Sequence, residues 1–205
     1  HARAVIDLNR AETDLDPALV PGAAAAPSDR TRAGFGLLPR IAAPGHAIYP
    51  GRLAAGEAGR RIALLHRPWH AAIAQGLARA RAAHGLAILL DCQSMPPLGA
   101  GGAEIVLGDR FGASAAPDLV QQLEDGFRAA GLRVARNAPY AGGHTLDRHG
   151  RPSDGIHAIQ VEICRGLYMD PETLVPHAGF TNLSRLLARL VEALLPGDPL
   201  ALAAE

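Results

Sequence analysis

Lysine is absent from these 205 residues, and aromatic side chains make up only 4% of them. All fixed positive charge is therefore arginine. It is balanced, with 20 basic against 20 acidic residues and no formal net charge at pH 7. A neutral chain has no bulk electrostatic pull toward nucleic acid or an anionic membrane, so neither is an expected partner. The missing lysine, beside abundant alanine, matches a GC-rich coding bias better than a binding feature. Cysteine is scarce as well. Cys92 and Cys164 alone make no disulfide framework, and a reducing cytoplasm is the expected setting. No apolar run approaches the ~20 residues of a membrane span, and no signal-peptide pattern opens the chain.

What is present is a chain with 48% hydrophobic residues, long enough for a sizeable core and read as a single domain over 1–205. It starts on "HARAVIDL", with no lead-in before an apolar stretch, so a segment preceding His1 is expected. Ala4–Leu8 reads as a short strand ending on Asn9 and Arg10. Residues 14–40 turn to proline, glycine and an alanine run, which predicts a long surface loop. Between 56 and 85, Ile62, Leu65, Trp69, Ile73 and Leu77 recur at helical spacing. Pro68 should kink or split that helix by removing a donor, and Gly85 should cap its end.

Beyond it, Leu86–Leu90 reads as a buried strand closed by the polar cluster Asp91, Cys92, Gln93 and Ser94. "EIVLGD" and "LRVAR" are further strands, with the helix "PDLVQQLEDGFRAAG" between them. "NAPYAGGHTLDRHGRPSDG" is turn-rich. "HAIQVEI" is a strand, and "TNLSRLLARLVEALLPG" a last amphipathic helix capped by Thr181 or Asn182 and followed by Gly197. Alternating strands and helices predict an α/β sheet with helices on both faces, whose sites gather at strand ends.

Glu162 is the most informative residue, because an acid inside an apolar strand is costly unless paired or used. Burial favours its protonated form and suits a general base; a salt bridge with Arg165 is the structural alternative. Arg10 offers a bidentate fork for a carboxylate, or is simply solvated. His144, His149 and His157 surround a glycine-rich turn and invite a metal reading, although their spacing is not that of an established site. His66 and His70 lie one helical turn apart, either a metal pair or histidines packed within the helix. Cys164 reads as a core residue.

Taken in order, "VIDLNR", "RPWH", "LLDCQSMP", "IVLGDRFG", "RNAPYAGG" and "HAIQVEICRGLYM" resemble the N-formylglutamate amidohydrolase family, from about residue 3 to about residue 195. The resemblance implies a three-layer α/β/α fold with a mixed central sheet, like zinc carboxypeptidases and aspartoacylase-type deacylases. It implies zinc-dependent hydrolysis of N-formyl-L-glutamate, a small-molecule N-acyl amino acid, in histidine catabolism. By the same resemblance Glu162 matches the general base, and Asn9 and Arg10 the carboxylate-binding pair. His144 and Arg148 fall among substrate-facing polar residues.

Two departures stand beside it. The family's strand-end histidine ligand falls on Gln93, whose amide is a poor zinc donor. The family's other two ligands, from a Pro-His-Ser/Ala-Gly stretch and a following acid, are expected before His1. "VPHAG" at 175–179 repeats that wording near the other end, where His177 would be a ligand only in a permuted chain. A catalytically inactive relative that keeps an anion-binding pocket is therefore the alternative reading. A thiol hydrolase using Cys92 or Cys164 is a third.

Overall fold

In the strand β6, Ile156–Cys164, every one of the nine residues is buried. A strand sealed on both faces must lie inside a sheet, and in this computed structural model it does. The structure describes residues 2–23, 27–43 and 45–194. The sheet also contains β3 (Ala87–Met95), β4 (Ile105–Gly108) and β5 (Val134–Arg136). Its order is β3-β6-β4-β5. β3 runs parallel to β6, β4 antiparallel to it, and β5 parallel to β4. The fold is thus mixed α/β with a mixed central sheet, as expected.

The chain divides into two compact units. Unit 1 comprises residues 1–85 and 143–148, and unit 2 comprises 86–142 and 149–205. In unit 2 the two faces of β6 differ. Ile159, Val161 and Ile163 join Ile105 and Leu107 in one core cluster, with Val120, Leu123 and Phe127 of helix α4 (Pro117–Ala129) and Leu190 of α6 (Gly179–Ala193). Gly126 allows these helices to touch: a Cβ there would meet Leu190 Cδ2 at 2.3 Å. The opposite face carries Gln160 and Glu162.

Among its described residues, unit 1 is irregular over most of its first 56 positions and helical after them. Besides the short helix α1 (Asp29–Arg32) and the antiparallel pair β1 (Ile41–Ala43) and β2 (His46–Ala47), its main element is one helical run. That run comprises α2 (Glu57–Arg61), a π-helical turn at Ile62–His66 and α3 (Arg67–His84). Pro68 neither breaks it nor splits it. Proline cannot donate to the carbonyl four residues back, and the π turn just before it absorbs the defect, the Arg67 N–H reaching back five residues to the Ile62 carbonyl. Gly85 ends the helix with φ +73°, the left-handed cap the sequence predicts. In segment 14–40 the described residues are mostly outside helix and strand, yet Leu19, Leu37 and Leu38 are fully buried beside Ile6 and Ile62.

Four local expectations are corrected. Ala4–Leu8 forms turns, not a strand, because Asp7 Oδ1 accepts the Asn9 N–H at 3.0 Å and closes the chain on itself. The Asp91–Ser94 cluster does not follow a strand but lies within β3, which runs on to Met95. The turn-rich 137–155 stretch contains helix α5 (His144–His149). The last helix starts at Gly179, ahead of Thr181 and Asn182, with its Gly179 N–H donated to His177 Nδ1 at 3.0 Å. Gly197 lies outside the described residues.

Candidate functional site

The π turn gives unit 1 its unusual interior. His66 closes that turn and His70 follows one α-turn later, so both rings leave the same side of the helix. They, not the aliphatic stripe, are its most buried side chains, at 0% and 1% exposure. Their ring centroids are 4.3 Å apart and their Nε2 atoms 3.2 Å apart. Two backbone carbonyls approach the same atoms, Arg10 O at 2.8 Å from His66 Nε2 and Leu8 O at 3.1 Å from His70 Nε2. Glu12 Oε1 lies 3.6 Å from His66 Nδ1. Hydrogen bonds from Arg67 hold Glu12 and keep its carboxyl below the usual range.

A third imidazole enters from α5. Asn9 Oδ1 accepts the Thr145 N–H at 2.8 Å and so caps that helix from a distant part of the chain. A Cβ on Gly143 would stand 2.4 Å from the Asn9 amide, which is why this close approach needs glycine. His144 is thereby placed 5.4 Å from His70 and 6.1 Å from His66 between ring centroids. One ligand atom from each of the three histidines falls within 4.8 Å of the others. Burial, then the neighbouring His66 and Arg148, lowers the His144 pKa and favours the neutral ring.

Four predicted site residues thus belong to unit 1. Arg10 is mostly buried, its Nε donating to Phe35 O at 3.3 Å and lying 3.8 Å from Asp7 Oδ2. Burial lowers its pKa, but a guanidinium remains charged. Asn9 is committed to holding α5. Arg148 is exposed on that helix.

The other two predicted site residues belong to unit 2 and stand side by side. Glu162 on β6 pairs in register with Gln93 on β3. Glu162 is 6% exposed, and its Oε1 accepts from Gln160 Nε2 at 3.0 Å. Gln93 Nε2 donates to Asp91 Oδ2 at 2.9 Å. A glutamine anchored in this way offers at best a weak neutral oxygen, so position 93 does not suit zinc. The neighbouring Cys92 thiol is pushed up by partial burial and by Asp91, which argues against a thiolate nucleophile.

His157 and His177 make other contacts. His157 Nδ1 accepts the Ala116 N–H at 3.1 Å. His177 is exposed and uses both ring nitrogens on backbone, at Gly179 N and Gly166 O. The sequence pattern linked His144 with His149 and His157, whereas the fold takes it to His66 and His70. The i, i+4 spacing of that pair was the one local signal for the cluster.

Comparison with known proteins agrees with this fold. The profile of the N-formylglutamate amidohydrolase family matches residues 1–169. A Pseudomonas aeruginosa N-formylglutamate deformylase is 32% identical over 203 residues, covering 95% of this chain and 71% of the relative. A Pseudomonas putida N-formylglutamate deformylase is also 32% identical, over 95% of this chain and 72% of its own. The crystal structure of an N-formylglutamate amidohydrolase from Ralstonia eutropha superposes with TM-score 0.83 at 35% identity, covering 92% of this chain and 71% of that protein. The fold and its relatives place the molecule in a class, that of amide-hydrolysing enzymes with a mixed α/β fold. Within that class, the chain belongs to the N-formylglutamate amidohydrolase family.

Proposed function

We propose that this chain hydrolyses the formamide of N-formyl-L-glutamate, or of a closely related N-acyl amino acid, and releases formate. The observation that carries the reading is its 32% identity to N-formylglutamate deformylases across 95% of its length.

The chemistry requires water to add to the formyl carbon, one proton to leave that water, and the C–N bond to break as the amine gains a proton. Glu162 is the base we assign to this transfer: it takes the proton from water and returns it to the departing nitrogen. Its place on the innermost strand, with Gln160 donating to one oxygen, supports an orientation fixed before substrate arrives. Arg10 is the residue we assign to a substrate carboxylate, with a guanidinium desolvated enough to favour a tight ion pair. Asn9 supports it indirectly by holding α5, which carries His144 and Arg148. Zinc is the ion that the family resemblance implies, and it would polarise the formyl oxygen and acidify water. Gln93 does not suit it, and none of the steps above depends on that position.

Gln93 also favours the second reading, a relative that binds the substrate anion without turning it over. Formate release by the purified chain and by Glu162→Gln, followed by NMR, separates the two. Turnover that falls about 10²–10⁴-fold in the variant, with an unchanged circular dichroism spectrum, is the expected result. Equal turnover in both proteins removes Glu162 from the role of base. Calorimetric binding of N-formyl-L-glutamate without any formate release makes the binding reading the correct one.

A further inference from the structure

We propose that His66, His70 and His144 form a binding site for a divalent ion of the zinc class, so that the metal ligands of this chain lie in unit 1 and not at position 93.

The geometry already resembles a ligand set. Two imidazole nitrogens bound to one tetrahedral zinc at ~2.0–2.1 Å stand about 3.3 Å apart. The Nε2 atoms of His66 and His70 are 3.2 Å apart. His144 Nε2 is buried and has no hydrogen-bond partner. One ring nitrogen of each of the three histidines falls within 4.8 Å of the rest, so a shift of about 1.5 Å by the half-buried His144 ring closes the site.

Proton placement supports the same conclusion. A proton on His66 Nε2 satisfies the Arg10 carbonyl but leaves Nδ1 as a bare lone pair, 3.6 Å from a Glu12 oxygen. A proton on Nδ1 instead points toward Glu12, and leaves the Nε2 lone pair facing the Arg10 carbonyl at 2.8 Å, even where a His70 Nε2–H donates to it at 3.2 Å. Each neutral tautomer sets lone pair against lone pair in a fully buried place, which is unfavourable. A cation at the Nε2 atoms removes the conflict, because the Nδ1 proton then faces the Glu12 carboxylate 3.6 Å away while Nε2 serves the metal. An outer carboxylate on the far nitrogen of a ligating histidine is the usual support for such a site. Glu12 is held in place for that role by Arg67 at 2.9 Å. Three imidazoles select borderline transition ions over magnesium or calcium, and they leave one of four positions open.

The test uses cobalt(II) as a visible probe and needs no turnover, so its outcome is independent of the activity proposed above. Chelator-treated protein is titrated with Co²⁺ and the ligand-field absorption recorded, for the unmodified chain, His144→Ala, His66→Ala and Gln93→Ala. About one ion per chain is expected in the unmodified protein and in Gln93→Ala. Affinity should fall more than about 100-fold in the histidine variants, beyond the ~10–100-fold that loss of an outer partner causes. His66 is wholly interior and its variant can lose structure, so the deciding comparison is His144→Ala, whose ring is only half-buried. Trp69 fluorescence and circular dichroism confirm that it folds. No binding by the unmodified chain overturns the proposal. So does a folded His144→Ala that binds as tightly as the original, or weakened binding in Gln93→Ala alone.

Discussion

Unit 1 and unit 2 bury their ionisable side chains by different means. Unit 2 places Glu162 on a sheet strand whose backbone is satisfied by two neighbouring strands, so the acid needs only side-chain partners such as Gln160. Among its described residues, unit 1 has no such ladder around its histidines. It meets them with carbonyls of a turn segment, Leu8 and Arg10, and with an asparagine cap from the same segment. The difference shows that a regular sheet can tolerate one buried polar group as a local matter. An irregular core has to build its polar interior and its backbone hydrogen bonding together.

Deleting core volume tests that contrast most strongly. Phe127 is fully buried between α4 and the sheet, and Phe127→Ala is expected to destabilise unit 2 by about 3–5 kcal/mol in urea unfolding. Leu37→Ala, in the irregular core, should cost less if turns relax into the space; an equal or greater loss shows that the unit 1 core is as tightly packed as the sheet. Arg10 comes next. A charged hydrogen bond is worth about 1.5–3 kcal/mol, so Arg10→Ala should raise KM for N-acyl dicarboxylates about 10-fold or more and leave neutral amides nearly unchanged. Parallel effects on both substrates show that Arg10 does not bind the carboxylate.

Smaller changes sharpen the picture. In Gly143→Ala the new Cβ either displaces Asn9 from Thr145 or strains α5, at a cost of about 1–2 kcal/mol. A denaturation midpoint equal to that of the unmodified chain means that the asparagine cap contributes nothing. The smallest effect concerns pH. Burial holds the His157 pKa below its ordinary 6.5, and the neutral ring accepts the Ala116 N–H. The unfolded chain therefore takes up a proton below 6.5 that the folded chain resists. This contribution is full above that pH and is lost as pH falls toward the lower folded value. His157→Gln should show a shallower loss of melting temperature between pH 8 and pH 5.5; identical slopes assign the acid sensitivity to other groups.

The sequence by itself determined the strands that carry unit 2. Ile159, Val161 and Ile163 alternate with Gln160 and Glu162, and a period of two specifies which side chains share a face without reference to the rest of the chain. It also determined the end of the long helix at Gly85, where only local backbone freedom matters. The ordered motifs from "VIDLNR" to "HAIQVEICRG" sufficed for the family. Tertiary structure decided the rest. Pro68 predicted a kink or a split, but whether the helix does either or inserts a π turn depends on what its face must bury. α5 has no local capping residue, because Gly143 precedes it and its cap is Asn9, 136 residues away. The histidine cluster joins positions 66 and 70 to position 144 for the same reason. Periodicity reports neighbours a few residues apart, whereas a site closed by a long-range hydrogen bond leaves no period to read.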